Sequence, residues 1–351
     1  MRLLVIRNKT DFYSLQAKWD LLYRQASDAT VFQSYAYNKI AWEYVAKRDP
    51  MAELYIVAAE SQNHLICLLP CYMDRKGRLR FINDLHTDFC DCLIDEACQD
   101  IHHLMEDIFE EIQKESRIKL IYFDNLRGSS PLIPYFKVFG KNTMIFSQTE
   151  HTSLALKREA PYPESFLHLR SKERAKLKKV LRDAPETSLQ HFRKTEQEFP
   201  EEELHALWRN IIQDGIRSEE YLNNDFFQFT KDLYQSGLLE IILLHESEKP
   251  VAAAYYYASE KQDFYMQWVI LCSDKRLNLP LDLLSCTEFS RTGDAILDFG
   301  RGAYFYKVHN FKPEIKPLYR LLLSKTMQGN LYILYRVFIA HLRKTYLKYH
   351  E

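Results

Sequence analysis

The sequence predicts a mixed α/β chain made of two modules of one kind, and three observations lead there. Its 351 residues exceed one ordinary domain. Hydrophobic residues make up 46% of the chain, enough for two buried cores. One order of elements (helix, hairpin, strand, helix, strand) can be read twice, about 180 residues apart.

The opening Met1-Arg2-Leu3-Leu4-Val5-Ile6-Arg7 places four apolar residues between charges. That is too short for a signal-peptide core and reads as a first strand. Residues 35–47 have helical sequence. Residues 54–67 give an apolar run, the polar turn Glu60-Ser61-Gln62-Asn63-His64, and a second apolar run, which is hairpin chemistry. Ile101, Leu104, Met105, Ile108, Phe109 and Ile112 then form an i, i+3, i+4 stripe for an amphipathic helix. Residues 118–124 follow as a strand. The second half repeats the order, with a helix over 226–236 and a hairpin over 239–252 that turns at Glu246-Ser247-Glu248-Lys249. A helix over 281–292 comes next, with Gly293 suited to its C-terminal cap, and then a strand over 295–299.

Pro161 and Pro163 mark a boundary between modules at residues 1–157 and 164–326. A basic helix over 170–183 opens the second module. In it Arg170, Arg174, Lys178 and Arg182 recur every four residues and so share one face. Glu173 is the one acid among seven basic residues from Arg170 to Arg182. Such a face is either simply solvated or a phosphate-binding stripe. A C-terminal helix over 330–350 carries aromatic residues with Arg336, Arg343, Lys344 and Lys348. Packing on the second module is the reading favoured over contact with a membrane surface.

Charge and motifs exclude several classes. The formal charge is −1, so no net pull toward nucleic acid or anionic membrane is expected. Seven Cys in so long a chain are not a secreted disulfide framework. The apolar run over 331–340 is broken by Arg336 and falls short of the ~20 residues that span a bilayer. A cytoplasmic location follows. There is no Walker A sequence and no Gly-x-Ser-x-Gly elbow. Gly300-Arg301-Gly302 starts like a dinucleotide fingerprint, but Phe305 stands where the third glycine belongs and no helix follows for a pyrophosphate. Cys67, Cys71, Cys90 and Cys92 read as same-face strand positions in a core rather than as a zinc knuckle, and no metal is expected.

The constellation that remains is 298–307. Asp298 ends an apolar strand, and Gly300 and Gly302 permit positive φ or close approach to a ligand. Arg301 between them offers a planar donor fork for carboxylate or phosphate. Tyr306 and Lys307 add a phenol and an ammonium.

The stretch Asp298-Phe299-Gly300-Arg301-Gly302-Ala303-Tyr304-Phe305-Tyr306-Lys307 resembles the closing motif of BioF2-like (CelD-type) acetyltransferases, members of the GNAT superfamily related to FemAB peptidyltransferases. Phe32-Gln33-Ser34 with Trp42, Leu68-Leu69-Pro70, His86 to Asp91, Ser171 to Arg182 and Pro250-Val251-Ala252-Ala253 resemble further family segments in the same order. The resemblance implies tandem GNAT-like modules, each a mixed β-sheet with flanking helices. It also implies transfer of an acyl group, expected to be acetyl, from acyl-CoA to an amine or hydroxyl of a sugar or cell-envelope precursor, free or lipid-linked. Asp298, Tyr306 and Lys307 would be the catalytic residues. Arg301, Gly302, Arg174, Lys178, Asp88 and Asp91 would bind substrate, and Val269, Ile270, Arg276, Asn278, Leu279 and Leu281 would hold the acyl-CoA. One departure stands out: the segment Ser273 to Leu281, where relatives keep a glycine for the pyrophosphate, has none. Two other readings remain, the second of them resting on that loop. One is a FemAB-like transferase using aminoacyl-tRNA, the one reading in which nucleic acid is a partner. The other is a non-catalytic binding protein on a degenerate GNAT scaffold.

Overall fold

The computed structural model describes residues 1–139, 143–158, 166–184, 187–259, 264–291, 293–324, 326 and 329–335. The chain starts with β1 (Arg2–Ile6), α1 (Lys9–Ser14), α2 (Gln16–Gln25) and α3 (Tyr35–Arg48). Strands β2 (Glu53–Leu54), β3 (Ile56–Ser61), β4 (His64–Leu69), β5 (Cys71–Met73), β6 (Arg78–Phe81) and β7 (Leu93–Ile94) follow. Next come α4 (Ile101–Lys114), β8 (Leu120–Arg127), α5 (Leu132–Phe139) and β9 (Thr143–Leu156). The second half has α6 (Ser171–Arg182), β10 (Thr187–Phe192), α7 (Glu201–Gln213), α8 (Asn224–Gln235), β11 (Leu239–Glu246) and β12 (Lys249–Ser259). It closes with β13 (Phe264–Cys272), α9 (Asn278–Ser290), β14 (Ala295–Arg301), α10 (Phe305–Phe311) and β15 (Glu314–Ser324).

These elements form two compact units. Unit 1 contains Met1–Glu150 and the described residues from Lys316 on, and unit 2 contains His151–Ile315. In unit 1 a small antiparallel sheet has the order β1-β3-β4-β7, and a second sheet runs β9-β15-β8-β6-β5-β2 with β6 and β8 parallel. The core includes the apolar stripe of α4, with Leu104, Met105, Ile108, Phe109 and Ile112 buried against Leu79, Ile121 and Phe123. Cys67, Cys71, Cys90 and Cys92 are buried free thiols of this core. Cys67 and Cys71 are strand residues as expected, but Cys90 and Cys92 lie in the loop before β7.

In unit 2 the sheet order is β10-β11-β12-β13-β14-β9, antiparallel except where β13 meets β14. Alternation along β12 sends side chains to opposite faces. Tyr256 joins the core under α9, whereas Tyr255 accepts a hydrogen bond from Trp208 Nε1 of α7 at 3.2 Å and its ring meets Trp268.

The hairpins read from the sequence are β3–β4 and β11–β12, both antiparallel. Their two-residue turns share one backbone: Gln62 and Asn63 have φ of 48° and 67°, Ser247 and Glu248 have 49° and 67°. Both residues left-handed is the turn that suits the twist of flanking strands. Each hairpin is followed by a strand, a helix and a second strand parallel to the first: β6, α4, β8 in unit 1 and β13, α9, β14 in unit 2. The closing strands do not stay with their own repeats. Residues of β9 from His151 on pair with β14 in unit 2, while β15 pairs with β8 in unit 1.

Three local expectations are corrected, the first being that no helix follows Gly302: α10 runs from Phe305 to Phe311. Helix α9 starts at Asn278 and ends at Ser290, capped by Arg291 in right-handed conformation, and Gly293 is not left-handed. The strand expected over 118–124 runs instead from Leu120 to Arg127. Of the expected C-terminal helix, residues 329–335 are helical and Ile333 is buried against Leu322, and the remainder lies outside the described residues. No helix among the described residues is long and apolar enough to cross a membrane.

Candidate functional site

Among the described residues, strands β13 and β14 pair in parallel only at Phe264–Ile296, Tyr265–Leu297 and Met266–Asp298. Beyond that register β13 continues to Cys272 beside β12, and β14 to Arg301 beside β9, without pairing with each other, so the two strands part. Gln267 is the first β13 residue past the last pair. Its amide donates to Asp282 Oδ1 at 2.7 Å and to the Tyr256 hydroxyl at 3.2 Å.

Asp282 is fully buried on α9, and its Oδ2 has no hydrogen-bond partner among the described residues. Burial pushes this carboxyl up to about 7, against the lowering effect of the Gln267 bond and the positive charge of Lys307. An unpartnered, desolvated carboxyl costs stability and needs a compensating reason to persist. Neither Gln267 nor Asp282 stood out in the sequence. The available signal was one amide within Phe-Tyr-Met-Gln-Trp-Val-Ile-Leu-Cys and one acid within the apolar opening of α9.

The 298–307 segment is electrostatically linked to Asp282 through Lys307 and Tyr306. Gly300 and Gly302 have φ of 72° and 92°, as expected of them. A Cβ at Gly302 would lie 2.6 Å from the Tyr304 ring, so glycine is needed there twice over. Asp298 is buried and both its oxygens are engaged. Oδ1 accepts the Gly300 N–H at 2.7 Å, and Oδ2 lies 2.6 Å from His151 Nδ1 on β9. Asp298 therefore holds the turn and orients His151. Arg301 ends β14 half-buried, opposite His151 in the β9 register.

Lys307, only 3% exposed, donates from Nζ to the carbonyl of Phe299 and, at 3.4 Å, to that of Arg301. It also sits 5.2 Å from the Tyr304 ring centroid and 6.0 Å from that of Tyr306. Its ammonium thus clamps the end of β14 from beneath. Tyr306 keeps 38% of its surface exposed. Burial around the phenol and the Asp282 charge raise its pKa well above the ordinary value. Tyr304, Phe305 and Tyr306 form an exposed aromatic ridge, with the Tyr304 and Tyr306 rings nearly parallel at 6.1 Å.

The basic helix is α6, with Leu177 buried and Lys178 exposed. Lys172, Arg174, Lys176, Lys178 and Lys179 have no ion-pair partner among the described residues. Glu173 binds Lys312 Nζ at 2.6 Å, and His168 Nε2 lies 2.6 Å from the Phe311 carbonyl. These contacts tie the start of α6 to the helix that carries Tyr306 and Lys307.

Val269 and Ile270 lie on the stretch of β13 that has left β14 but stays paired with β12, and Asn278, Leu279 and Leu281 lie at the start of α9, with Val269 and Leu281 buried. Arg276 stands between them with its side chain 90% exposed. It is turned onto Asp274, whose carboxylate takes the Arg276 N–H at 2.8 Å and its Nε at 2.7 Å. A carboxylate therefore occupies the backbone donor of this loop, where a glycine-bearing cradle would offer donors to a phosphate.

Asp88 and Asp91 are buried in unit 1. Asp91 accepts from Ser130 Oγ and from the Cys92 N–H, both at 2.9 Å. Burial raises it to about 6, opposed by the Arg127 charge, and it lines a cleft of about 220 Å³ with Gln33 and Arg127. Among the described residues no group of three His, Cys, Asp or Glu is placed to hold a metal ion.

No family model matches this chain, and no curated protein does. Solved structures do. L-PGS from Bacillus licheniformis superimposes with a TM-score of 0.59 at 13% identity, over 94% of this chain and 96% of that one. FemX gives 0.57 at 8% identity, over 95% and 99%. A tandem GNAT protein from the clavulanic acid biosynthesis pathway gives 0.54 at 9%, over 91% and 98%. The fold is that of tandem GNAT proteins along nearly the whole chain.

Proposed function

We propose that this chain is an acyltransferase whose reaction takes place where β13 and β14 part in unit 2. The observation that carries the reading is the gap itself, whose first β13 residue, Gln267, holds a buried carboxyl that lacks a partner for one oxygen among the described residues. Backbone groups of β13 beyond Met266 are released from pairing with β14 and can hold an acyl carbonyl. The acceptor's amine or hydroxyl attacks the carbonyl carbon, the new C–N or C–O bond forms, and the bond from that carbon to the carrier breaks. The proton lost by the acceptor ends on Asp282, whose pKa of about 7 suits a base at neutral pH. Tyr306, protonated at neutral pH, gives its proton to the leaving group, and the cycle closes when Tyr306 takes a proton from solvent and Asp282 releases one to it. Asp298 and Lys307 are positioning residues. The exposed ridge Tyr304-Phe305-Tyr306 is a stacking surface for a sugar-bearing acceptor.

The likeness of 298–307 to BioF2-like acetyltransferases favours acyl-CoA as donor, with the carrier along α9 and Arg276. A second reading has its own support: transfer from aminoacyl-tRNA. Asp274 holds the loop donor that a CoA pyrophosphate would use, while α6, tied at its start to α10, presents five cations without an ion-pair partner among the described residues. Titrating the protein with acetyl-CoA and, separately, with aminoacylated tRNA decides between them. Binding of acetyl-CoA at micromolar to millimolar concentration establishes the first. Salt-sensitive tRNA binding that Arg174→Glu/Lys178→Glu abolishes establishes the second. If neither donor binds at millimolar concentration, the proposal fails.

A further inference from the structure

A second concave surface lies in unit 1, formed by the end of α3 and the β5–β6 hairpin. It encloses about 410 Å³ and is lined by Arg48, Arg75, Lys76, Arg78 and Arg80. Two acids, Asp49 and Asp74, face the same space. The acids neutralise only part of this positive charge. Asp74 Oδ2 binds Arg78 Nε at 2.5 Å, and Arg80 is held mainly by Asp84, with its Nε 2.8 Å from Oδ2. Arg48, Arg75 and Lys76 have no carboxylate partner among the described residues, although Arg48 also contacts the Tyr44 hydroxyl.

The hairpin that presents these groups is rigidly built. Asp74 Oδ1 accepts the N–H of Lys76 at 2.9 Å and that of Arg78 at 3.0 Å, and Gly77 N–H donates to the Asp74 carbonyl at 2.9 Å. Gly77 adopts φ of 74°, and a Cβ there would lie 2.5 Å from the Arg117 carbonyl. The turn is thereby fastened against the start of β8. Arg78 and Arg80, two apart on β6, point to one face, and both lie over the Tyr122 ring, at 5.8 and 5.0 Å. Guanidinium forks held this way by carboxylates and a ring lose little freedom when they bind an anion. Pro50, the exposed Met51 and the Tyr72 ring supply apolar wall beside them.

We infer that this cleft is a binding site for a phosphate-bearing ligand, independent of acyl transfer in unit 2. Its cations take the phosphate and Pro50, Met51 and Tyr72 take an adjoining organic group. The cleft volume falls within the range of small-molecule sites, about 300–1,000 Å³. A diphosphate ester and an anionic lipid headgroup present the same chemistry, and the experiment separates them.

The test uses the full chain and two probes: inorganic pyrophosphate by calorimetry, and vesicles of phosphatidylglycerol against phosphatidylcholine by co-sedimentation. Arg75→Ser/Lys76→Ser alters two exposed turn residues whose side chains hold nothing in place, and Lys249→Ser in unit 2 is the control. The site is supported if pyrophosphate binds, weakens as salt rises, and loses at least about tenfold affinity in the double variant but not in the control. Vesicle binding that needs phosphatidylglycerol and is lost in the double variant also supports it, and assigns the phosphate to a lipid headgroup. Binding of neither probe, or equal binding by wild type and double variant, overturns the inference.

Discussion

Replacing Asp282 by Asn preserves the side chain's shape and the acceptor for Gln267, while removing the charge. In the wild type this carboxyl moves from its ordinary 3.8 to about 7 because burial penalises the charged form. The folded protein therefore holds a proton there that the unfolded chain has released, throughout the interval from about pH 4 to about pH 7. Where the folded state binds more protons, stability falls as pH rises. From pH 5 to pH 7 that is two full units at about 1.4 kcal/mol each, so Asp282 removes about 3 kcal/mol of stability between pH 5 and pH 8. Asp84 and Asp91 in unit 1, both raised by burial to about 6, tilt the curve in the same direction. They do so in both proteins and cancel in the difference. Urea unfolding of wild type and Asp282→Asn at pH 5, 6, 7 and 8 reads that difference. The variant gains on the wild type by about 3 kcal/mol from pH 5 to pH 8, and any cost of its own unpartnered amide is common to all pH values and cancels from that gain. Acyl transfer falls by about 10²–10⁴ in the same variant. Parallel pH curves for the two proteins would refute the reasoning, since Asp282 would then be neither buried without compensation nor poised near neutrality.

Four other substitutions follow from the geometry. Gly302→Ala forces a side chain into φ of 92° against Tyr304 and costs about 1–3 kcal/mol, measured by chemical unfolding, with a raised KM for the acceptor. Lys307→Met removes the donor shared by the Phe299 and Arg301 carbonyls, lowering stability by about 1–3 kcal/mol and increasing hydrogen exchange at 299–302. Arg320→Met leaves Asp124 without the guanidinium that binds both its oxygens, at 3.0 and 2.5 Å, and destabilises by about 3–5 kcal/mol, detected as a lower thermal midpoint. Glu248→Gly relieves a left-handed non-glycine residue in the β11–β12 turn and stabilises by about 0.5–1 kcal/mol in urea unfolding.

Much of the fold was legible because it rests on local chemistry. Two polar turns flanked by apolar runs gave both hairpins, and the stripe from Ile101 to Ile112 gave α4. Glycines at 300 and 302 were read as sites of positive φ, and both adopt it. The partner chosen by β9 and β15 was not legible, because strand pairing at such sequence separation is decided by tertiary packing. The cap at Gly293 failed because Arg291 already ends α9 in right-handed conformation. Lys307 illustrates a different limit: a charged residue after a glycine turn suggests an exposed group, yet its ammonium is spent on two buried carbonyls. Asp282 and Gln267 were passed over because each is one polar residue in an apolar segment. Periodicity treats such a residue as an interruption, and only the structure shows that the two interruptions meet.

The claim that acyl transfer occurs where β13 and β14 part is tested most directly by hydrogen–deuterium exchange with acetyl-CoA and with aminoacylated tRNA. A donor that enters the gap protects the amides of residues 267–271 and 299–302, and Asp282→Asn retains that protection while losing transfer. Protection confined to other segments, or none with either donor at saturating concentration, would contradict the account.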